Sequence, residues 1–127
     1  MEYILDTHVL LWTMFGSEKL SDKVKSILLD KQINKSVSIA SVWEIAIKHR
    51  IGKLFLPTGV RGVFVGINVL GYGILEVDKL HVERYAALPL LHRDPFDGII
   101  IAAAQAENMT LITADENMQK YDILWVW

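Results

Sequence analysis

Short runs rich in Ile, Leu and Val alternate along this chain with longer segments in which apolar residues recur every three or four positions. The short runs lack a regular alternation of apolar and polar residues, which is typical of strands buried on both faces. Such strands belong to parallel sheets that helices cover on each side. The pattern therefore predicts an α/β fold for residues 1–127, a single three-layer α/β/α sandwich with a central parallel sheet.

The predicted elements follow from these runs and from the signals for helix boundaries. Strands are expected at residues 3–5, 36–39, 74–77, 110–113 and 123–127, and helices at 7–15, 21–31, 41–50, 58–70, 78–88 and 95–108. Ser41 followed by Glu44 matches the capping-box pattern, which gives Glu44 a purely structural explanation. Lys48 lies one turn beyond Glu44 and could pair with it.

The segment from His92 to Asp97 opens one of the predicted helices. Proline is favoured at the first helical position, because its missing N–H would lack a partner there. Asp94 is therefore predicted to be the N-cap, with Pro95 first and Asp97 third in the helix. The positive end of the helix dipole then faces both carboxylates. Capping alone explains this segment, and the alternative is that Asp97 binds a metal ion.

The composition excludes several classes of protein. The chain has no cysteine, which rules out disulfides and thiolate metal sites and fits a reducing cytoplasm. The first residues lack the basic and apolar regions of a signal peptide, and no apolar run approaches the roughly 18 residues of a membrane span. The net charge is −2, so contact with nucleic acid would need a local basic patch or a bound cation.

Acidic residues from four distant parts of the chain are predicted to converge. Asp6 and Asp115 follow the first and fourth strands, while Glu44 and Asp97 are expected in the first turns of helices. In a parallel sheet covered by helices, these positions share the edge formed by the carboxyl ends of the strands. Two carboxylates about 5 Å apart repel by roughly 3 kcal/mol at an effective dielectric constant of about 20. The group would therefore need protons or a cation.

Oxygen ligands in a chain without cysteine favour Mg²⁺ or Mn²⁺. Such an ion can activate water and stabilise a phosphoryl group during its displacement. The chain contains neither GxGxxG nor GxxxxGK[ST], so an acidic pocket favours cleavage of phosphodiesters over nucleotide binding. The histidines form no HxxxH or HxH pair and the serines lack a GxSxG context, which disfavours zinc chemistry and serine hydrolysis.

Four motifs in this order and spacing resemble the PIN-domain ribonucleases, and most closely the VapC-type toxins of toxin–antitoxin pairs. They are Ile4-Leu5-Asp6-Thr7-His8, Ser41-Val42-Trp43-Glu44-Ile45-Ala46, His92-Arg93-Asp94-Pro95-Phe96-Asp97 and Thr113-Ala114-Asp115. The resemblance implies a PIN-like fold and hydrolysis of RNA with Mg²⁺ or Mn²⁺. It also implies a homodimer and a cognate antitoxin that blocks the metal cleft.

Carried over residue by residue, the resemblance implies that the catalytic, metal-binding acids are Asp6, Glu44, Asp97 and Asp115. Asp94 would stand beside them as an alternative ligand, and Thr113 as a group that orients Asp115 or the water. The family usually has an arginine directly after the second Asp of the third motif, where this chain has Gly98. That difference removes a candidate contact to phosphate.

Basic residues near the motifs are candidates for contact with RNA, and each could instead be a solvated surface charge. The first candidates are Lys48, Arg50 and Arg93, with His49, Lys53 and His92 beside them. Trp43 is expected in the core. The remaining tryptophans, Trp12, Trp125 and Trp127, could belong to the core, to a subunit contact or to an antitoxin groove.

Two other functions stay open. A non-catalytic acidic binding module of the same fold would use its acids only as helix caps. A phosphatase or receiver-like domain would need a phosphorylatable Asp with a Lys partner, and no Lys of this sequence can be assigned to that role.

Overall fold

A sheet of five parallel strands runs through the computed structural model, which describes residues 2–127. The strands are β1 (Glu2–Leu5), β2 (Asn34–Ser38), β3 (Gly73–Leu75), β4 (Thr110–Ile112) and β5 (Trp125–Val126). The helices are α1 (Thr7–Phe15), α2 (Asp22–Leu29), α3 (Ile39–Arg50), α4 (Gly59–Leu70), α5 (Lys79–Ala86), α6 (Pro95–Ala106) and α7 (Glu116–Gln119). The parallel sheet confirms the predicted α/β architecture.

Strand β1 lies at the centre of the sheet, whose strand order is β3-β2-β1-β4-β5. Leu5, at the end of β1, pairs with Val37 of β2 on one side and with Ile112 of β4 on the other. The chain moves outward from β1 to β3 and then returns to place β4 on the opposite side of β1. Ligands of such sheets bind at the carboxyl ends of the strands, where the strand order reverses. The residues that follow β1 and β4 therefore occupy the expected binding position.

Each face of the sheet carries its own hydrophobic core. On one face, Leu5 and Ile112 pack with buried residues of α1, α2, α3 and α4. On the other face, Ile4 and Leu111 pack with buried residues of α6 and α7. Successive strand residues thus enter opposite cores, which is why their apolar runs are continuous. The predicted three-layer α/β/α sandwich is confirmed.

Helix α3 begins two residues earlier than predicted, and the expected capping box is wrong. Ser38 is the N-cap, and its Oγ accepts a hydrogen bond from the Ala40 N–H at 3.1 Å. Because the helix starts directly after β2, Ser41 and Glu44 lie inside it. Ser41 is buried, and its Oγ accepts a hydrogen bond from the Thr7 hydroxyl at 3.0 Å, which joins α1 to α3.

The expectation that Trp43 lies in the core is also wrong, since its side chain is 63% exposed. Val42 and Ile45 of the same helix belong to the core, which turns Trp43 to the outer side of α3. There its ring meets Phe96 edge to face, with 5.2 Å between ring centroids. Both rings line an apolar groove that also includes Tyr85 of α5.

The other tryptophans divide between core and surface. Trp12 and Trp127 pack edge to face, with 5.9 Å between ring centroids, and lie partly buried against the core on the α1 side. Trp125 is 45% exposed. The carboxyl-terminal segment, residues 125–127, therefore contributes one ring to the core and presents the other to solvent.

The predicted start of α6 is confirmed. Asp94 Oδ1 accepts hydrogen bonds from the N–H groups of Phe96, at 2.9 Å, and of Asp97, at 3.1 Å. Other boundaries differ by a few residues, and the short helix α7 was not predicted. None of the helices formed by residues 2–127 combines the length and the apolar character needed to cross a membrane.

Gly98, in the first turns of α6, is buried beside the ring of Tyr85 from α5. A Cβ atom at this position would lie 2.5 Å from Tyr85 Cε2, which is closer than two carbon atoms can pack. The tyrosine ring fills the space that a side chain would take. This contact gives a structural reason why the chain has glycine where an arginine was expected.

The substitution Gly98→Ala should report this contact when it is made with and without the ring. In a Tyr85→Ala background, alanine should stabilise α6 by up to about 1 kcal/mol, because it is the better helix former. With Tyr85 present, the same change should be less favourable by roughly 1–3 kcal/mol. Urea unfolding of the four proteins measures the difference, and equal effects in both backgrounds would show that the ring does not restrict this position.

A candidate metal centre at the carboxyl edge of the sheet

Asp6 occupies the position directly after the central strand and is 3% exposed. It is the N-cap of α1, since its Oδ1 accepts a hydrogen bond from the Val9 N–H at 2.7 Å. Its Oδ2 accepts a hydrogen bond from the Thr113 hydroxyl at 2.5 Å. Burial raises the pKa of Asp6, the two hydrogen bonds lower it, and the nearby Asp115 raises it. The fold thus fixes both oxygens of a carboxylate that is costly to ionise.

Asp115 is linked to Asp6 through Thr113, the residue that follows β4. The Thr113 hydroxyl accepts a hydrogen bond from the Asp115 N–H at 3.0 Å while it donates to Asp6. Asp115 is also the N-cap of α7, because its Oδ1 accepts from the Asn117 N–H at 2.9 Å. One buried hydroxyl therefore joins the two acids that follow β1 and β4.

Asp97 lies in the first turn of α6, and its pKa is raised to about 7 from an ordinary value of 3.8. Burial is the largest cause, and the negative charges of Asp94, Asp115 and Glu44 raise the pKa further. A hydrogen bond with His92 acts in the opposite direction. Near neutral pH this carboxyl is therefore close to half protonated without a cation.

Glu44 projects from α3 and is 6% exposed. Its Oε2 pairs with Lys48 one turn later at 3.0 Å, as predicted from the spacing. Its Oε1 is buried and, within the described residues 2–127, has no hydrogen-bond partner. A buried carboxylate oxygen left in this way is costly, and a bound water molecule or cation would relieve that cost.

The charges of the predicted site residues act on one another across the edge of the sheet. Asp115 raises the pKa of both Asp6 and Asp97, and Glu44 raises that of Asp97. Their oxygens do not form a closed cage, because no three of these side chains bring ligand atoms within 4.8 Å of one another. One oxygen of Glu44 is already engaged by the ammonium group of Lys48.

Within residues 2–127, ligand atoms of three other side chains do lie within 4.8 Å of one another, those of Asp78, His81 and Glu107. His81 Nδ1 accepts a hydrogen bond from the Asp78 N–H at 3.3 Å, so its hydrogen lies on Nε2, which donates to Glu107 Oε1 at 3.0 Å. Neither ring nitrogen then offers a lone pair to a metal. The trio is explained as a capping box of α5 that also joins α5 to the end of α6.

The candidate RNA-binding residues lie at varied depths. Lys48 is held by Glu44, while Arg50 and Arg93 are exposed. His49 is half-buried, and its Nδ1 lies 3.1 Å from the Leu54 carbonyl oxygen. These positions leave Arg50 and Arg93 accessible to a large ligand.

Sequence reasoning missed Tyr121, whose hydroxyl lies 2.8 Å from His92 Nδ1. His92 was noted only as a candidate contact for RNA, yet its Nε2 lies 3.2 Å from Asp97 Oδ2. His92 and Asp97 share a motif, which gave a local signal for their contact. Tyr121 is 29 residues from His92, and nothing in the sequence connects the two.

Several solved structures that share this fold are toxin–antitoxin complexes. The chain is similar to one in the crystal structure of VapBC2 from Rickettsia felis bound to a promoter DNA fragment, with 16% identity, a TM-score of 0.75 and coverage of 100% of this chain and 99% of that one. It is also similar to a chain in DNA-bound VapBC from Salmonella typhimurium, with 14% identity, a TM-score of 0.73 and coverage of 99% and 97%. For a toxin–antitoxin complex from Klebsiella pneumoniae the values are 18%, 0.69, 98% and 96%.

The sequence itself carries a family assignment. Among curated protein sequences, none matches the chain. The sequence model of the PIN domain, however, matches residues 3–124, which include most of β1, all of β2, β3 and β4, and all of the acids discussed above. Together with the shared fold, this match over nearly the whole length shows that the chain belongs to the PIN domain family.

Proposed function

We propose that the protein is a divalent-metal-dependent endoribonuclease in which Asp6, Glu44, Asp97 and Asp115 hold Mg²⁺ or Mn²⁺. The observation that carries this proposal is the buried Glu44 Oε1, which has no hydrogen-bond partner within residues 2–127. It belongs to the same electrostatic group as Asp97, whose pKa is about 7. A divalent cation would supply the missing partner and offset the repulsion among the acids.

Helix capping accounts for only part of the acid group. Asp6 and Asp115 cap α1 and α7, as a non-catalytic binding module would require. Asp97, in contrast, stands at the third position of a helix already capped by Asp94. Glu44 lies in the interior of α3. A module that used its acids only as caps would bury these last two carboxyls at a cost and without a purpose.

The donor set fits a hard cation, since carboxylate oxygens are the ligands that Mg²⁺ and Mn²⁺ prefer. When bound, such an ion lowers the pKa of water and neutralises charge on a phosphoryl oxygen. The residues of the chain would position the carboxylates for this ion. The Thr113 hydroxyl hydrogen-bonds to one oxygen of Asp6 and to the Asp115 N–H, which keeps the two residues together. The hydrogen bond from the Val9 N–H fixes the second oxygen of Asp6.

Contact with the RNA backbone is assigned to Lys48, Arg50 and Arg93. Arg50 and Arg93 are exposed. The net charge of −2 leaves little general attraction for RNA, so these local cations and the bound ion would provide it. Lys48 reaches Glu44 at 3.0 Å, and a cation that took its place there would leave the ammonium group available to a phosphate.

The partner proteins are inferred by analogy. Structures that share the fold include toxin–antitoxin complexes, and we propose that this chain is likewise a toxin that binds a cognate antitoxin and assembles as a homodimer. The exposed Trp43 and the apolar groove beside it offer an apolar surface for contact with another protein chain.

The substitutions Asp97→Asn and Asp6→Asn should each lower RNA cleavage in Mn²⁺ by more than about 100-fold, beyond what is usual for residues that only support metal ligands. Excess EDTA should abolish cleavage by the unchanged protein. The matched control is Asp78→Asn, the same change at a helix cap outside the acid group, which should keep its activity because Asn caps as well as Asp. Full activity in either site variant, or in EDTA, would refute the proposal.

The stability of the protein in EDTA should depend on pH through Asp97. Between its ordinary pKa of 3.8 and its folded value of about 7, the folded state holds a proton that the unfolded chain has released. Relative to Asp97→Asn, the free energy of unfolding should therefore fall by about 2 kcal/mol between pH 5 and pH 8.

Thermal and urea unfolding of both proteins at several pH values measures this difference, in which the titrations of groups that do not interact with Asp97 cancel. Adding Mn²⁺ at pH 8 should raise the melting temperature of the wild-type protein and leave that of Asp97→Asn nearly unchanged. Parallel pH profiles for the two proteins would show that Asp97 titrates normally in the folded state.

A further inference from the structure

A chain of polar contacts leads from the hydrophobic core to Asp97. The Tyr121 hydroxyl lies 2.8 Å from His92 Nδ1, and His92 Nε2 lies 3.2 Å from Asp97 Oδ2. The side chains of His92 and Asp97 are 13% and 14% exposed. Contacts this well shielded from water hold their geometry better than the same contacts on a surface.

The direction of the hydrogen bonds follows from the chemistry of the groups. An ionised carboxylate, the form in which Asp97 would bind a cation, only accepts, so a neutral His92 must then carry its hydrogen on Nε2 and donate it to Asp97 Oδ2. Nδ1 is then a lone-pair acceptor, and the Tyr121 hydroxyl donates to it. The tyrosine thereby selects the imidazole tautomer that can hold an ionised Asp97.

Tyr121 is itself firmly anchored. It is 6% exposed and belongs to the core on the α6 side of the sheet, together with Ile101 and Met118. Its backbone N–H donates to the Met118 carbonyl at 3.2 Å, and its ring packs on His92 with 5.4 Å between ring centroids. Because Tyr121 follows α7, the segment that begins with Asp115 also supports the side chain that holds Asp97.

We propose that His92 and Tyr121 are positioning residues for the candidate metal centre. They fix Oδ2 of Asp97 in place and thereby direct its Oδ1 toward the divalent ion. This inference rests on the proposed function, because it assumes that Asp97 is a metal ligand. A carboxylate that binds a metal is commonly also hydrogen-bonded to a neighbouring group of the protein, and loss of that group weakens metal binding.

The test is the affinity for Mn²⁺ alone, measured by electron paramagnetic resonance or titration calorimetry without RNA. His92→Ala should weaken binding by about 10–100-fold. His92→Gln should recover most of that loss, since its terminal NH₂ can donate to Oδ2 as the imidazole does. Circular dichroism verifies that each variant is folded.

Removing only the phenolic oxygen gives a milder second test, because the ring stays in the core. Tyr121→Phe should weaken Mn²⁺ binding by about 5-fold, the effect of one hydrogen bond. The matched control is Tyr72→Phe, which removes a buried hydroxyl from the other core, where it donates to the Leu28 carbonyl at 3.4 Å. This control should bind Mn²⁺ as the wild type does.

Wild-type affinity in both His92→Ala and Tyr121→Phe would overturn the inference, and so would equal losses in His92→Ala and His92→Gln. If His92→Ala does not fold, Tyr121→Phe and its control decide the question. Asp97→Asn distinguishes failure of the positioning role from failure of the metal centre itself. If this variant also keeps wild-type Mn²⁺ affinity, the metal centre itself is wrong, whereas a loss confined to Asp97→Asn contradicts only the positioning role.

Discussion

Repulsion among carboxylates held at the end of the central strand is the constraint on which this site depends. Asp6 and Asp97 both have raised pKa values, first because they are buried and then because other acids lie nearby. Glu44 adds a buried oxygen without a partner in the described part of the chain. The folded chain therefore keeps charges together that would separate if they were free to move. Protons relieve this repulsion at low pH, and a divalent cation would relieve it at neutral pH.

The fold prevents the acids from moving apart. Strands β2 and β4 pair with β1 on either side, and each face of the sheet packs against its own hydrophobic core. Asp6 is further restrained by the Val9 N–H and by the Thr113 hydroxyl, which also accepts from Asp115. In a parallel sheet whose strand order reverses at β1, ligands are expected at the carboxyl ends of the strands. Asp6 and Asp115, the caps of α1 and α7, lie at those ends and are also members of the acid group. The same two residues therefore begin helices and contribute charge to the site.

The fold class could be predicted from the sequence, because it depends on local patterns and on the topology of parallel sheets. The same topology predicts the acids at one edge of the sheet, where the charges of Asp115 and Glu44 act on Asp97. Asp94 as the cap of α6 is a local feature and was predicted correctly. The start of α3 was not, because Ser38 and Ser41 are both good caps and only the end of β2 decides between them. The exposure of Trp43, the contact of Tyr85 with Gly98 and the support of His92 by Tyr121 depend on tertiary packing, which no local pattern encodes.

The most direct test of the account is a crystal structure of the protein soaked in Mn²⁺, with the ion located by its anomalous scattering. The account predicts a peak at the carboxyl edge of the sheet, within about 2.0–2.5 Å of oxygens from Asp97 and from at least one of Asp6, Glu44 and Asp115. In that structure Glu44 would turn from Lys48 toward the ion. A peak only at Asp78, His81 and Glu107, or an acid group that stays unchanged at saturating Mn²⁺, would contradict it.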